Sequence, residues 1–208
     1  MQLQNYYYWF KDAIPHHVCD DIVRYAKSIQ DEMAVTGGLG NRKLNKKEVQ
    51  DLKKKRDSDI VWLNERWIYN AIHPYIHAAN KDANWNFEWD FSESCQFTKY
   101  KKGQYYDWHC DSWDRPYHKP EDPNSHGKQR KLSVTLSLSD DKDYSGGELE
   151  FDMRNLDPDK KANTHVLKEI RSKGSLVVFP SDVWHRVKPV KRGVRHSLVI
   201  WNLGSPFK

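Results

Sequence analysis

The chain has 208 residues, which is enough for one domain with a substantial core, with or without elaborations. No apolar run approaches the roughly 18 residues of a membrane span, and the N-terminal residues lack the basic start and apolar core of a secretory signal. The net charge of +5 permits an acidic partner without demanding one, and three widely spaced cysteines (Cys19, Cys95 and Cys110) predict reduced thiols and a cytoplasmic location.

Helical patterns dominate the first 83 residues. Residues 5–10 predict a short strand, and residues 14–30 predict a helix with one apolar face. The pair Ser58-Asp59 predicts the cap of a second helix that runs to about Asn80, because its apolar residues recur at spacings of three and four.

A strongly basic segment separates these two helices. Residues 41–57 hold eight Lys or Arg residues against three acids. We interpret it as a solvated helix or loop, which is the usual role of a charge run. The functional alternatives are a lid over a site, formed by residues 36–57, or a landing site for an acidic partner. No recognised nucleic-acid-binding motif accompanies the charge.

From residue 84 onward the pattern changes to strands. The alternation of Trp85, Phe87, Trp89 and Phe91 predicts one strand. Further strands are predicted at residues 94–100, 105–111, 131–139, 148–151, 165–170, 175–179, 183–190 and 196–201. We therefore predict a mainly β fold with flanking helices (α+β), a barrel or double-sheet jelly roll. Residues 1–208 would form a single domain, with 1–83 as helical support and candidate lid and 84–208 as the β core.

The motif His109-Cys110-Asp111 lies at the end of the predicted strand 105–111. Because side chains alternate along a strand, His109 and Asp111 point to one face and can grip one ion together. His185 is the candidate third ligand, and two histidines with one carboxylate form the facial triad that suits non-haem Fe(II). A His-x-Asp pair alone is common and is usually a surface pair, so the rest of the chain decides.

Arg195 follows His185 by ten residues. A turn at residues 191–193 would fold this segment into a hairpin and bring Arg195 back towards the metal region. A buried guanidinium there could clamp a carboxylate with two hydrogen bonds. The alternative is one more surface arginine in a basic segment.

Four ordered blocks between residues 95 and 202 resemble a known family. The blocks are Tyr100…Gly103-Gln104…His109-x-Asp111; Leu132-Ser133-Val134-Thr135-Leu136; Asp143-Tyr144-Ser145-Gly146-Gly147-Glu148-Leu149; and Phe179-Pro180-Ser181…His185-Arg186-Val187…Pro189-Val190…Arg192-Gly193…Arg195. They resemble the Fe(II)- and 2-oxoglutarate-dependent dioxygenases of the prolyl 4-hydroxylase-like branch, and most closely the PKHD-type hydroxylases. Their order and spacing are more specific than any single motif.

This resemblance implies a double-stranded β-helix (cupin-like jelly-roll) core and an iron site at His109, Asp111 and His185. By the same analogy Arg195 would bind the distal carboxylate of 2-oxoglutarate, with Tyr100 as a second contact. Ser137 is the candidate replacement for a strand tyrosine that serves this purpose in related enzymes. The implied reaction uses 2-oxoglutarate and O2, with ascorbate as reductant, and releases succinate and CO2 as an unactivated C–H bond is hydroxylated.

The expected substrate is a prolyl residue in a peptide or protein. Tyr106, Trp113 and Arg115 lie on or beside the strand that carries the metal ligands and could line a groove for an extended peptide. The alternatives are the same chemistry on nucleic acid or a small metabolite, and a non-catalytic cupin-like binding module. Nucleic acid is disfavoured because only the basic segment supports it, and no membrane partner is expected.

Overall fold

The computed structural model describes residues 5–29, 32–33, 45–112, 114–153 and 163–207. Within these ranges the chain forms three helices and fifteen strands, most of them in two antiparallel sheets. The helices are α1 (His16–Ser28), α2 (Lys46–Lys55) and α3 (Arg66–Asp82). The strands are β1 (Tyr8–Phe10), β2 (Glu32–Met33), β3 (Arg56–Asp57), β4 (Asp59–Leu63), β5 (Phe91–Ser92), β6 (Cys95–Tyr100), β7 (Tyr105–His109), β8 (Gln129–Ser137), β9 (Tyr144–Gly146), β10 (Leu149–Asp152), β11 (Thr164–Val166), β12 (Leu176–Pro180), β13 (His185–Val187), β14 (Val190–Gly193) and β15 (Arg195–Gly204).

The larger sheet has the strand order β1-β12-β8-β15-β6-β4-β2, and β5 pairs with β15 beside this path. Alternation along its central strands gives the sheet two different faces. One face packs against α1 and α3 and forms the main core, in which Val134 and Leu198 of the sheet meet Ile22 of α1 and Ile72 of α3. The opposite face carries the polar residues of β8 and β15 and looks towards the smaller sheet.

The smaller sheet has the order β11-β10-β13-β7-β3. A second apolar cluster, which includes Phe151 of β10 and Phe179 of β12, fills part of the space between the two sheets. The remaining space is the cavity described below. Two antiparallel sheets that enclose a cavity, with helices against the outer face of one of them, confirm the predicted jelly-roll core.

The second predicted helix begins later than the sequence suggested. Helix α3 starts at Arg66, and residues 59–63, which we assigned to its first turns, form strand β4. Strand β4 pairs with β6 in an antiparallel register from Asp59↔Lys99 to Leu63↔Cys95. The run Ile60-Val61-Trp62 is rich in residues that favour strands, and pairing with a buried neighbour prevails over the helical spacing.

The predicted strand at residues 85–91 is also wrong over most of its length. Only Phe91 lies in a strand, and the preceding residues form an irregular segment in which Asn84 and Asn86 have positive φ angles of 58° and 53°. The Asn80 side chain bonds both the N–H and the carbonyl of Phe87, each at 2.9 Å. The side chain thus replaces a strand partner, and the alternation reflects burial of Trp85 and Phe87 without a β-ladder.

The predicted hairpin between His185 and Arg195 takes a different form. Strand β14 pairs with β9 and not with β15, and β13 and β15 belong to different sheets. The segment is therefore a crossing from one sheet to the other. It still brings Arg195 into the space between the sheets, on the same cavity as His185.

The part of the basic segment that the structure describes is a solvated helix, as interpreted, with one exception. Helix α2 begins with a capping box in which Asn45 and Glu48 bond each other's backbone N–H groups, and it has no buried residue. Arg56, directly after the helix, is only 5% exposed. Residues 36–44 lie outside the described residues, and the lid over 36–57 stays a prediction.

No helix among the described residues is both long enough and apolar enough to cross a membrane. Cys19, Cys95 and Cys110 are free thiols. Burial raises the pKa of Cys19 to about 11 and that of Cys95 to about 12. These two thiols are therefore neutral at ordinary pH and behave as small apolar side chains.

Gly193, in the crossing that leads to Arg195, generates a test of the fold. Its φ is +75°, and a Cβ at this position would overlap the carbonyl oxygen of Asp143. Gly127 has nearly the same φ, +74°, but an open space where its Cβ would be. We expect Gly193→Ala to lower the free energy of unfolding by roughly 2–4 kcal/mol and Gly127→Ala by roughly 1 kcal/mol. Urea denaturation measures both losses, and equal losses would contradict the close approach at Gly193.

Candidate metal centre and cavity

Three potential metal ligands meet between the sheets. His109 ends β7 and His185 begins β13, and these two residues are direct partners across the antiparallel pair. Nε2 of His109 lies 3.8 Å from Oδ1 of Asp111, and Nε2 of His185 lies 3.6 Å from Oδ2 of the same carboxylate. Ligand atoms of all three residues lie within 4.8 Å of one another. Among the described residues this is the one such group of His, Cys, Asp or Glu side chains.

Backbone carbonyls hold both imidazole rings in the orientation that a metal requires. Nδ1 of His109 bonds the carbonyl of Asp107 at 2.7 Å, and Nδ1 of His185 bonds that of Val183 at 2.9 Å. A carbonyl only accepts, so each Nδ1 donates a proton and each Nε2 is the nitrogen left for a metal ion. Burial, and then the proximity of His185, lower the pKa of His109 to about 3. The ring is thus a neutral ligand at ordinary pH.

Asp111 lies beyond the end of β7 and is fixed by contacts with other parts of the chain. Its N–H donates to the carbonyl of Ser181 at 2.8 Å, and the Ser133 hydroxyl donates to its Oδ2 at 2.8 Å. Burial acts to raise the pKa of this carboxyl, but the two histidines, Arg130 and the Ser133 hydroxyl together lower it. Asp111 is therefore an ionised ligand. The sequence did not identify Ser133 and Ser181 as its supports, because a serine in a strand or a turn carries no distinguishing signal.

The ligands open into a cavity between the two sheets, with an empty volume of about 410 Å³ including its mouth. The larger sheet contributes polar and aromatic side chains, and the smaller sheet contributes the metal ligands and their neighbours. The lining residues are Arg56, Gln96, Thr98, Tyr100, Tyr106, His109, Asp111, Thr135, Leu149, His185, Val187, Arg195, Ser197, Val199 and Trp201. Its charged side chains are two arginines and Asp111.

Arg195 is buried in this cavity, with 3% of its surface exposed. Its Nη1 donates to the Ser197 hydroxyl at 3.1 Å, and its guanidinium lies 5.5 Å from the ring centre of Tyr100, its partner on β6. No carboxylate of the described residues lies within ion-pair distance. Tyr100 and Arg195 are thus brought together as predicted, and alternation from Arg195 could have identified Ser197 as well.

Ser137 is a predicted site residue that does not line the cavity. It stands opposite Ser197 in the sheet, so it shares the inward face. The chain around residue 171 covers this end of β8, however, and the Ser137 hydroxyl donates to the carbonyls of Ser139 and Arg171 at 3.3 and 3.4 Å. Thr135, two residues earlier, lines the cavity in its place. Ser137 thus shares the predicted face, and its role as a co-substrate contact stays a prediction.

The three predicted substrate contacts have different locations. Tyr106 lines the cavity and stacks on His109, with ring centres 3.5 Å apart. Burial raises the pKa of Tyr106 to about 12, so its phenol stays neutral. Arg115 is not among the residues that line the cavity. Its Nε lies 3.9 Å from Oδ2 of Asp114, and both side chains are exposed. Trp113 lies outside the described residues.

Two features show that these residues fit a ferrous ion and an anionic co-substrate. A buried centre of two imidazoles and one carboxylate has the donor set of non-haem iron sites and leaves coordination positions open. In the same cavity Arg195 is a buried cation without a protein carboxylate, and the indole N–H of Trp201 is buried without an acceptor among the described residues. Both side chains can donate to an anionic ligand.

Comparisons with known proteins agree with this geometry. The sequence model of the 2OG-Fe(II) oxygenase superfamily matches residues 95–202, which is just over half of the chain. A PKHD-type hydroxylase of Pseudoalteromonas atlantica is 33% identical over 108 residues, covering 51% of this chain and 41% of the relative. A PKHD-type hydroxylase of Synechococcus sp. is 39% identical over 100 residues, covering 48% of this chain and 36% of the relative. The match thus spans about two-fifths of the length of these curated relatives.

Solved structures show the same fold over nearly the whole chain. The viral collagen prolyl hydroxylase of Paramecium bursaria Chlorella virus-1 aligns with a TM-score of 0.66 and 18% identity, covering 97% of each chain. A Pseudomonas putida prolyl-4-hydroxylase aligns with a TM-score of 0.61 and 20% identity, covering 96% of this chain and 92% of that one. The chain therefore belongs to the 2OG-Fe(II) oxygenase superfamily, and its sequence is similar to PKHD-type hydroxylases.

Proposed function

We propose that the protein is an Fe(II)- and 2-oxoglutarate-dependent dioxygenase that hydroxylates a prolyl residue in a peptide or protein. The observation that carries this proposal is the convergence of His109, Asp111 and His185 on one point of a cavity that also holds the buried Arg195. A binding module would not require this donor set beside an uncompensated guanidinium.

In this proposal Nε2 of His109, Nε2 of His185 and the Asp111 carboxylate hold the ferrous ion. When bound, iron and 2-oxoglutarate supply the oxidising chemistry, in which O2 is reduced, the co-substrate becomes succinate and CO2, and one oxygen atom reaches the substrate. Ascorbate serves as reductant. Arg195 and the Ser197 hydroxyl bind the distal carboxylate of 2-oxoglutarate, with Tyr100 and Thr135 beside them, and the two sheets exclude water from the reacting atoms.

Two observations support a prolyl substrate. Curated relatives with similar sequences are named PKHD-type hydroxylases, and the solved structures that share the fold include prolyl hydroxylases. In the cavity itself, the ring of Tyr106 lies against His109. An aromatic wall next to the metal suits the apolar ring of proline, which docks on aromatic-lined grooves in other recognition sites.

The direct test is succinate formation by protein purified without oxygen and then supplied with Fe(II), ascorbate, 2-oxoglutarate and O2. We expect one member of a panel of proline-rich peptides to stimulate succinate release and to gain one oxygen atom by mass spectrometry. Faster turnover of free proline or another metabolite would overturn the peptide assignment. A protein that binds iron but forms no succinate would favour the binding-module alternative.

Replacement of a metal ligand tests the iron site. We expect Asp111→Asn to weaken Fe(II) or Mn(II) binding at least roughly 100-fold and to abolish succinate formation, because the amide keeps the shape of the carboxylate without its charge. Asp182→Asn is the matched control, since this carboxylate is exposed and lies outside the cavity lining. Titration calorimetry with Mn(II) measures the affinity. Normal metal binding by Asp111→Asn, or its rescue by excess 2-oxoglutarate, would contradict the assignment.

Replacement of Arg195 tests the co-substrate site. We expect Arg195→Gln to raise the KM for 2-oxoglutarate roughly 10- to 100-fold while Mn(II) affinity stays unchanged, because only the charge-assisted bonds to the distal carboxylate are lost. Arg192→Gln, an exposed change three residues earlier, is the control. An unchanged KM in Arg195→Gln would remove Arg195 from the co-substrate site.

A further inference from the structure

A second arginine is buried in the same cavity, and the proposed reaction does not use it. Arg56 belongs to β3, at the edge of the smaller sheet, where it pairs with Tyr106 of β7. Its Nε donates to the Ser58 hydroxyl at 3.0 Å and its Nη2 to Oε1 of Gln96 at 2.6 Å. The guanidinium lies 4.6 Å from the ring centre of Tyr106. It is thus held firmly at the cavity wall.

The contacts of Arg56 within the protein do not satisfy its charge. A guanidinium has five N–H donors, and these two hydrogen bonds use two of them, both to neutral oxygens. No carboxylate of the described residues lies within ion-pair distance, although only 5% of the side chain is exposed. A buried charge is costly unless an opposite charge accompanies it. A ligand of the cavity is therefore the natural source of that charge.

The charges of the loaded cavity leave a place for one more anion. The lining holds two arginines and one carboxylate, a formal charge of plus one. A ferrous ion adds two positive charges, and the 2-oxoglutarate dianion cancels them. One positive charge therefore remains when metal and co-substrate are both bound.

The two arginines extend from different sheets and lie against different tyrosines, so we assign them to different anions. Arg195 extends from β15 of the larger sheet beside Tyr100, whereas Arg56 extends from β3 of the smaller sheet beside Tyr106. Tyr106 in turn stacks on the metal ligand His109. Tyr106 therefore contacts both Arg56 and a candidate metal ligand. It is also the ring that we assigned above to contact the prolyl substrate.

We propose that Arg56, held by Gln96 and Ser58, binds a carboxylate of the molecule that is hydroxylated. This inference rests on the proposed function and narrows its substrate to a prolyl compound with a carboxylate close to the ring. The carboxylate is either the side chain of a neighbouring acidic residue or the α-carboxylate of a terminal proline. Helix α2, which contacts β3 and β7, supports an acidic substrate because five lysines outnumber its two acids.

Binding of small probes to the Mn(II)- and 2-oxoglutarate-loaded protein, without oxygen, tests this inference independently of turnover. The side-chain probes are capped Ala-Glu-Pro-Ala and Ala-Pro-Glu-Ala with their glutamine counterparts. The α-carboxylate probe is N-acetylproline, compared with N-acetylprolinamide. We expect at least one carboxylate probe to bind roughly 10- to 100-fold more tightly than its neutral counterpart by calorimetry. The probe that shows the difference identifies the source of the carboxylate.

Variants then assign the difference to Arg56. We expect Arg56→Gln to abolish the preference for the carboxylate probe, Arg56→Lys to retain part of it, and the exposed Arg192→Gln to leave it unchanged. The affinity for 2-oxoglutarate should stay the same in all three variants. The comparison of charged with neutral probes needs only the unmodified protein, so it holds even if an Arg56 variant does not fold.

Three binding results would overturn the inference: no binding of any carboxylate probe, equal binding of charged and neutral probes, or a loss of 2-oxoglutarate affinity in Arg56→Gln. The last result would assign Arg56 to the co-substrate. Hydroxylation of neutral prolyl peptides that is insensitive to Arg56 would refute the inference and keep the proposed function. Carboxylate binding that depends on Arg56, in a protein that binds iron but forms no succinate, would refute the proposed function and keep Arg56 as an anion-binding residue.

Discussion

The pairing of β7 with β13 is the constraint on which the site depends. His109 and His185 are distant in sequence but stand directly opposite each other in this antiparallel pair, so both imidazoles reach the cavity at one level. A register shift of one residue would turn one of them to the other face of the sheet. Asp111 completes the group from beyond the strand, where the Ser181 carbonyl and the Ser133 hydroxyl hold it. The two histidines are thus brought together by strand register rather than by their closeness in the sequence.

The buried charges of the cavity lack enough opposite charges within the described part of the protein, and bound ligands would supply them. Two guanidiniums are buried with one carboxylate, and burial keeps His109 in its neutral form. Such an arrangement lowers the stability of the empty protein, because buried charges without partners are unfavourable. In the proposed function the same groups bind a cation at the imidazoles and anions at the arginines. Strain of this kind is expected at a functional site rather than in a structural core.

The sequence predicted the parts of the site that depend on spacing and alternation. The His-x-Asp pair, His185 and Arg195 all reach the cavity, and the mainly β jelly-roll fold is confirmed. The errors concern tertiary contacts. Residues 59–63 form a strand because they pair with β6. Trp85 and Phe87 are buried beside Asn80 without pairing in a sheet. Ser137 faces inward but is covered by the chain at Arg171. The burial of Arg56 was not predicted, because composition alone does not show which residue of a basic segment is buried.

The central claim is that one ferrous site at His109, Asp111 and His185 shares its cavity with a co-substrate anchored by Arg195. Anomalous diffraction from crystals of the protein with Mn(II) and 2-oxoglutarate, grown without oxygen, tests it most directly. The account predicts a single strong anomalous peak in contact with these three side chains, and a 2-oxoglutarate carboxylate paired with Arg195 beside Ser197. A metal peak elsewhere, or a co-substrate carboxylate that does not contact Arg195, would contradict it.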